Sequence, residues 1–247
     1  MAIDRTLEPE IGSGPDEAWL YHEMDHRAVN TAFVDDLFAG GPVGPRVVDL
    51  GCGPAAIAIQ IARRFMDAED VVDSGSTGGP GEAPSVRADD FVVMGLDLDV
   101  EMLEIAKRQI EIEGLLGRVM LQQADVKDLS RFESGFAETV VSNSVAHHLP
   151  DPGRLIAGAL HLAGPHGRVF VRDLVRPDST DRVEELVAEH GEGEPPQAIA
   201  LLRQSLMAGL TVDEVREILA GLDIPADSVQ MTSDRHWTLD WQPTRET

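Results

Sequence analysis

Along the chain, short apolar runs that end in glycine or an acid alternate with longer segments whose apolar residues recur every three or four positions. That alternation predicts an α/β architecture built on a largely parallel sheet. The strand candidates are Val47 to Leu50, Phe91 to Leu98, Val119 to Asp125, Glu138 to Asn143 and Arg168 to Leu174. The first reads VVDL, an apolar run of the kind a parallel strand needs when both its faces are covered.

Helical spacing fills the intervals. Asp16 to Gly40 carries Ala18, Tyr21, Met24, Ala28, Ala32, Val34, Leu37 and Phe38 on helical periods, with a break near Asp25 and His26. Further helices are expected at Ala55 to Met66, Asp99 to Glu113, Pro150 to Ala163, Arg182 to His190 and Ala198 to Met207. In the second of these, Met102, Leu103, Ala106 and Ile110 form the apolar face and Asp99 suits the N-cap. The clearest helix is Thr211 to Leu222, where Thr211 and Glu214 have capping-box spacing. Two strands, Ser228 to Thr232 and His236 to Trp241, then form a terminal hairpin. Two stretches lack such a pattern. Met1 to Pro15 reads as a loosely held lead-in, and 67–90, with DSGSTGGPGEAP at its centre, reads as a mobile surface insertion.

Charge and composition narrow the function. The 247 residues include 44 acids against 20 Lys and Arg, a formal charge of -24. Nucleic acid is therefore disfavoured as a partner, because its binding depends on basic residues neutralising phosphates. No apolar run is long enough to span a membrane, and the start MAIDRTLEPEIG lacks the basic and apolar regions of a signal peptide, so a cytoplasmic protein is expected. The single cysteine, Cys52, excludes an internal disulfide and a cysteine-based metal site. No Asp, Glu and His cluster has metal-ligand spacing, so no metal is expected.

Candidate chemistry begins at VVDLGCGPA. Gly51 and Gly53 let the backbone turn and approach a ligand closely, and the helix that follows would point its N–H groups at that ligand. The pattern of Gly51, Gly53 and Ala56 also fits a nicotinamide dinucleotide fingerprint. Asp97 lies 44 residues after Gly53, and discounting the 24 residues from Asp67 to Asp90 leaves 20, a spacing that suits that fold too. Spacing leaves both readings open.

Five motifs in order decide between them. VVDLGCGPA is followed by GLDLDVEMLEIAK from Gly95, QQADVKDL from Gln122, VVSNSVAHHLPDP from Val140 and GRVFVRDLVRP from Gly167. Over roughly Val47 to Pro177 the chain resembles a class I S-adenosylmethionine-dependent methyltransferase. The resemblance implies a Rossmann-like seven-stranded, mostly parallel sheet with an antiparallel last strand, helices on both faces and an N-terminal helical lid. It divides the chain into a lid segment, 1–40, and a methyltransferase domain, 41–247.

The resemblance also implies the site. Gly51 and Gly53, with the small Cys52 between them, pass under the methionine part of S-adenosylmethionine, and Asp49 supports that loop. Asp97 binds the ribose, Asp125 the adenine amino group, and Leu98, Met102 and Val126 sandwich the adenine. Asn143 lies near the transferred methyl. His147 and His148 are the candidates for a general base toward a hydroxyl or amine. Tyr21 and His26 are expected to line the acceptor pocket, and Arg172 and Arg176 to meet an acceptor carboxylate or phosphate. The expected acceptor is a small molecule of the kind methylated by ubiquinone-biosynthesis-like enzymes, and the protein a monomer or homodimer. A non-catalytic S-adenosylmethionine-binding module and a nicotinamide-dependent oxidoreductase are the alternatives.

Overall fold

The computed structural model describes residues 3–8, 18–19, 24, 26–73 and 91–243. Seven strands form a single sheet in the order β3-β2-β1-β4-β5-β7-β6. They are β1 (Arg46–Leu50), β2 (Val92–Asp97), β3 (Val119–Gln123), β4 (Thr139–Asn143), β5 (Arg168–Leu174), β6 (Val229–Met231) and β7 (His236–Trp241). Strands β1 to β5 pair in parallel, and β7 runs antiparallel to both β5 and β6. The hairpin expected at the end of the chain is thus the antiparallel edge of the sheet.

The helices are α1 (Arg27–Gly40), α2 (Ala56–Asp73), α3 (Val100–Ile112), α4 (Gly153–Ala163), α5 (Thr180–His190), α6 (Pro196–Ala208) and α7 (Val212–Ala220). Successive strand residues point to opposite faces, which splits the core in two. Val47, Val93, Val141 and Phe170 pack with α1, α2 and α3 through Phe33, Ile61 and Ile110. Val48, Val140, Val169 and Leu239 pack on the other face with α4 and α7 through Leu155, Ile156, Val215 and Leu219.

The expected caps form. Asp99 accepts from the Glu101 and Met102 amides, and Thr211 and Glu214 close a reciprocal capping box. Thr211→Ala is expected to lower stability by about 1 kcal/mol, seen as a lower urea midpoint at unchanged slope.

Three expectations are corrected. Helix α2 continues to Asp73 instead of ending at Met66, because no glycine or proline interrupts the chain before Gly75; the remainder of the expected insertion, 74–90, lies outside the described residues. Of the lead-in expected over Met1 to Pro15, the described residues 3–8 are pinned, not loose, and the rest lies outside the described residues. Arg5 donates to the carbonyls of Ala208 at 2.7 Å and of His147 and Leu149 at 3.0 Å each. Arg172 and Arg176 are buried structural residues rather than acceptor-binding ones. Arg172 lies over the contacting rings of Phe33 and Phe170, bonding Thr238 at 2.8 Å and Asp36 at 2.6 Å. Arg176 ties the Ile3 and Gly209 carbonyls, at 2.8 Å each, to Glu214. Burying a guanidinium requires internal partners for its donors, and neither side chain is part of the cavity lining.

Candidate cofactor and acceptor site

A cavity of about 290 Å³ opens at the carboxyl ends of the strands. Parallel α/β sheets bind ligands there because the βα loops and helix N-termini converge at that edge. The loop after β1 is held against β2, the Gly51 and Cys52 amides donating to Leu96 O at 2.8 and 3.0 Å. Gly51 has φ +68°, and a Cβ on it would meet Val145 Cγ2 at 2.4 Å. Two non-glycine residues beside the cavity, Ala55 and Ser144, also adopt left-handed backbone, with φ of 63° and 58°. Such strain persists only where the surroundings enforce it, and it clusters at functional loops.

Asp97 organises this end. Its Oδ2 accepts from the Gly53 amide at 2.7 Å and its Oδ1 from the Asp99 amide at 2.9 Å, joining the glycine loop to the start of α3. Burial raises its pKa, partly offset by those amides. Leu98, Met102, Val126 and Asp125 line the adjoining wall, and Gly51, Gly53 and Asn143 the floor. The structure therefore gathers these expected residues around one space. Asp125 Oδ1 accepts from the Lys127 amide at 2.9 Å, which orients its carboxylate.

Asp49 and Cys52 lie beneath this surface, outside the cavity lining. Cys52 packs its sulfur over Gly95, where a Cβ would come within 2.7 Å; its side chain is a spacer between strands, not a cofactor contact. Asp49 is 2 % exposed, takes a bond from the Ala58 amide at the start of α2, and has no hydrogen-bond partner at Oδ2 among the described residues. Burial and then the neighbouring charge of Asp97 push its pKa up to about 8. The sign follows from linkage: between about pH 4 and 8 the folded chain holds a proton that the unfolded chain has released, so stability falls as pH rises through that window. Asp49→Asn is expected to flatten that slope, its gain in melting temperature over the parent growing from pH 5 to pH 8.

At the other end of the cavity the histidine pair divides its roles. His147 is 3 % exposed; Nδ1 lies 2.5 Å from Asp173 Oδ1 and Nε2 lies 3.3 Å from Glu8 Oε2. Burial opposes charge on this ring, but the two carboxylates override it and raise its pKa to about 9. A ring already protonated at neutral pH is a poor base, so the base role expected of His147 gives way to a structural one. His148 stacks on it with ring centroids 4.1 Å apart and lines the cavity. Met24, His26, Val29 and Asn30 close one side; Leu149, Leu174, Ala198, Leu201, Leu202 and Ser205 close the other. Tyr21 lies outside the described residues. His236, its pKa lowered to about 4 by burial and then Arg235, presents a neutral ring to the same space.

Glu8 carried no sequence signal, standing in a polar stretch without periodicity. His190 and the acceptor face of α6 were equally hidden, because only the packing of α5 and α6 over Leu174 brings them to the cavity.

The residues at the cofactor end fit an adenosyl sulfonium compound: a glycine turn at Gly51 where a Cβ would meet Val145, a half-buried carboxylate, Asp97, able to accept from a diol, apolar side chains of Leu98, Met102 and Val126 suited to a purine, and a second carboxylate, Asp125, beside them. A model of the methyltransferase domain family matches residues 43–220. The ubiquinone biosynthesis O-methyltransferase of Acinetobacter baylyi is 27% identical over 141 residues, covering 57% of this chain and 48% of that protein; the chain spans about half the length of the curated relatives it matches. Among solved structures, a SAM-dependent methyltransferase from Aquifex aeolicus superposes with TM-score 0.60 at 15% identity, covering 92% of this chain and 97% of that one. The plantazolicin methyltransferase BamL, in complex with a triazolic desmethylPZN analogue and SAH, gives 0.57 at 16% identity, covering 88% and 71%. With its ordered motifs, the 3-2-1-4-5-7-6 sheet and a domain match over most of its length, this chain belongs to the class I S-adenosylmethionine-dependent methyltransferase family.

Proposed function

We propose that the chain transfers a methyl group from S-adenosylmethionine to a hydroxyl oxygen of a small organic acceptor. The observation that carries this reading is the continuity of the cavity: its glycine and Asp97 end runs directly into an apolar chamber under α6 whose polar groups include His148, Ser205 and His236. The named function of the curated relatives, O-methylation in ubiquinone biosynthesis, supports an oxygen acceptor.

S-adenosylmethionine, when bound, supplies a methyl carbon on a sulfonium centre. The chain's own residues do the rest by binding, orienting and excluding water. Asp97 and Asp125 hold the nucleoside end, and the Gly51–Gly53 backbone admits the methionine part. Asn143 and Val145 flank the junction with the acceptor chamber. Leu149, Leu174, Leu201 and Leu202 exclude water, which favours an in-line displacement by holding its partners in register. His147 is held between Asp173 and Glu8, so His148 is the imidazole we assign to the acceptor.

No helix among the described residues is long and apolar enough to cross a membrane. We place the protein in the cytoplasm, which suits a chain whose single cysteine is buried and unpaired, and the charge of -24 supports an acceptor other than nucleic acid. Calorimetric titration with S-adenosylmethionine, S-adenosylhomocysteine and NAD tests the cofactor, followed by a screen of phenolic and catechol acceptors for transfer of isotopically labelled methyl. Binding of both adenosyl compounds with methyl transfer is expected. Adenosyl binding without transfer to any acceptor class would favour a regulatory module, and binding of NAD alone would return the glycine loop to the oxidoreductase reading.

A further inference from the structure

We propose that Glu8, His147 and His148 form a binding site for one divalent transition-metal ion, Zn(II) by the chemistry of the donors, on the acceptor side of the cavity. One ligand atom from each of the three side chains lies within 4.8 Å of the others. The 3.3 Å between His147 Nε2 and Glu8 Oε2 is close enough for charge attraction but off the line of a hydrogen bond. It matches the edge of a tetrahedron, about 3.3 Å, that bonds of roughly 2.0–2.1 Å would draw around zinc.

Two independent observations point to a cation there. Glu8 is 5 % exposed, and its Oε2, without a hydrogen-bond donor among the described residues, is balanced by charge on the His147 ring 3.3 Å away; a buried carboxylate oxygen in that state marks the place of a positive charge, which an ion can supply instead of the ring's proton. Asp173, on the far side of the ring, bonds His147 Nδ1 at 2.5 Å and takes the His147 amide at 3.2 Å. That is the second-shell arrangement by which a carboxylate orients a metal-binding imidazole and directs its other nitrogen at the ion. In the metal-free chain a proton on Nε2 takes this place and the ion must displace it, as at any histidine site.

The donor set selects the ion. Two imidazoles and one carboxylate, without thiolates, suit Zn(II) and neighbouring first-row ions better than Ca(II) or Mg(II). Three protein ligands leave a fourth position, and all three residues line the cavity, so an oxygen of the acceptor can take it. That role rests on the methyl-transfer reading; metal binding itself does not. A second group, Glu189, His190 and Asp234, is a weaker candidate because the Arg235 guanidinium stands 2.7 Å from the His190 ring and repels a cation.

The test uses the full chain stripped of metal by a chelator and titrated with CoCl₂, whose tetrahedral complexes absorb visible light. One equivalent of Co(II), displaced by ZnCl₂, is expected. Glu8→Gln and His148→Ala should each weaken Zn(II) binding roughly 100-fold or more, while His190→Ala leaves it unchanged. Circular dichroism and thermal melting verify the fold of each variant, and half-buried His148 makes His148→Ala the safer of the two. Absence of stoichiometric binding to the folded parent would overturn the proposal, as would binding that survives both variants or is lost only in His190→Ala. S-adenosylmethionine titration of the same samples separates the two claims: metal binding without adenosyl binding counts against the methyltransferase activity alone, and the reverse against the metal site alone.

Discussion

Asp97→Ala is expected to weaken S-adenosylmethionine binding at least about 100-fold while the chain stays folded. The carboxylate performs three tasks at once. It holds the Gly53 amide at 2.7 Å, holds the Asp99 amide at 2.9 Å, and faces the cavity where a ribose would donate two hydroxyls. A hydrogen bond to a charged group contributes about 1.5–3 kcal/mol, so losing two ribose contacts corresponds to roughly two powers of ten or more in affinity. Loosening the glycine loop adds to that. Asp97→Asn should fall between the two, since an amide keeps the volume but turns one acceptor into a donor facing a backbone N–H. Burial raises the Asp97 pKa, and the ionised form is the better acceptor. Affinity should therefore decline on acidification earlier than for an ordinary carboxylate. Calorimetry on the parent and both variants checks this, and an affinity for Asp97→Ala within tenfold of the parent would remove Asp97 from the cofactor site.

Arg168→Met is expected to destabilise the chain by about 3 kcal/mol, lowering the melting temperature by about 6–12 °C for a protein of this size. Arg168 is 2 % exposed at the start of β5. Its Nε and Nη2 form a two-pronged pair with Asp240 at 2.7 Å each, and Nη1 donates to the Leu37 and Gly41 carbonyls at 2.8 and 3.0 Å. The guanidinium thereby joins β5, β7 and the end of α1. Methionine fills most of the volume but leaves Asp240 and both carbonyls without their donors. Because the Asp240 side chain is 35% exposed and can rehydrate, the cost lies at the lower end of the range for breaking a buried pair. Double substitution with Asp240→Asn should recover part of the loss, and a fully additive result would show that the pair does not act as a unit.

Much of the cofactor half was legible in the sequence, and for a local reason. The strand, glycine turn and helix of VVDLGCGPA fold within one βα unit, and Asp97 and Asp125 sit at or just beyond the ends of strands whose apolar pattern dictates parallel burial. The capping of α3 by Asp99 and of α7 by Thr211 and Glu214 was readable on the same ground, because caps involve residues two or three apart.

The acceptor half was not legible, because its members meet only through tertiary packing. Arg172 and Arg176 stand just where a ligand-binding residue would in the chain, yet β5 turns Arg172 toward Thr238 and Asp36, and Arg176, just past the strand, bonds the Ile3 and Gly209 carbonyls and Glu214. Glu8 reaches His147 because Arg5 fastens the start of the chain to the carbonyls after β4. The sequence by itself determined the sheet, the glycine loop and the carboxylates at the strand ends, since each follows from periodicity or from neighbours along the chain. The tertiary structure alone decided that His147 is held between Asp173 and Glu8, because burial and charge pairing are properties of the space that distant segments share.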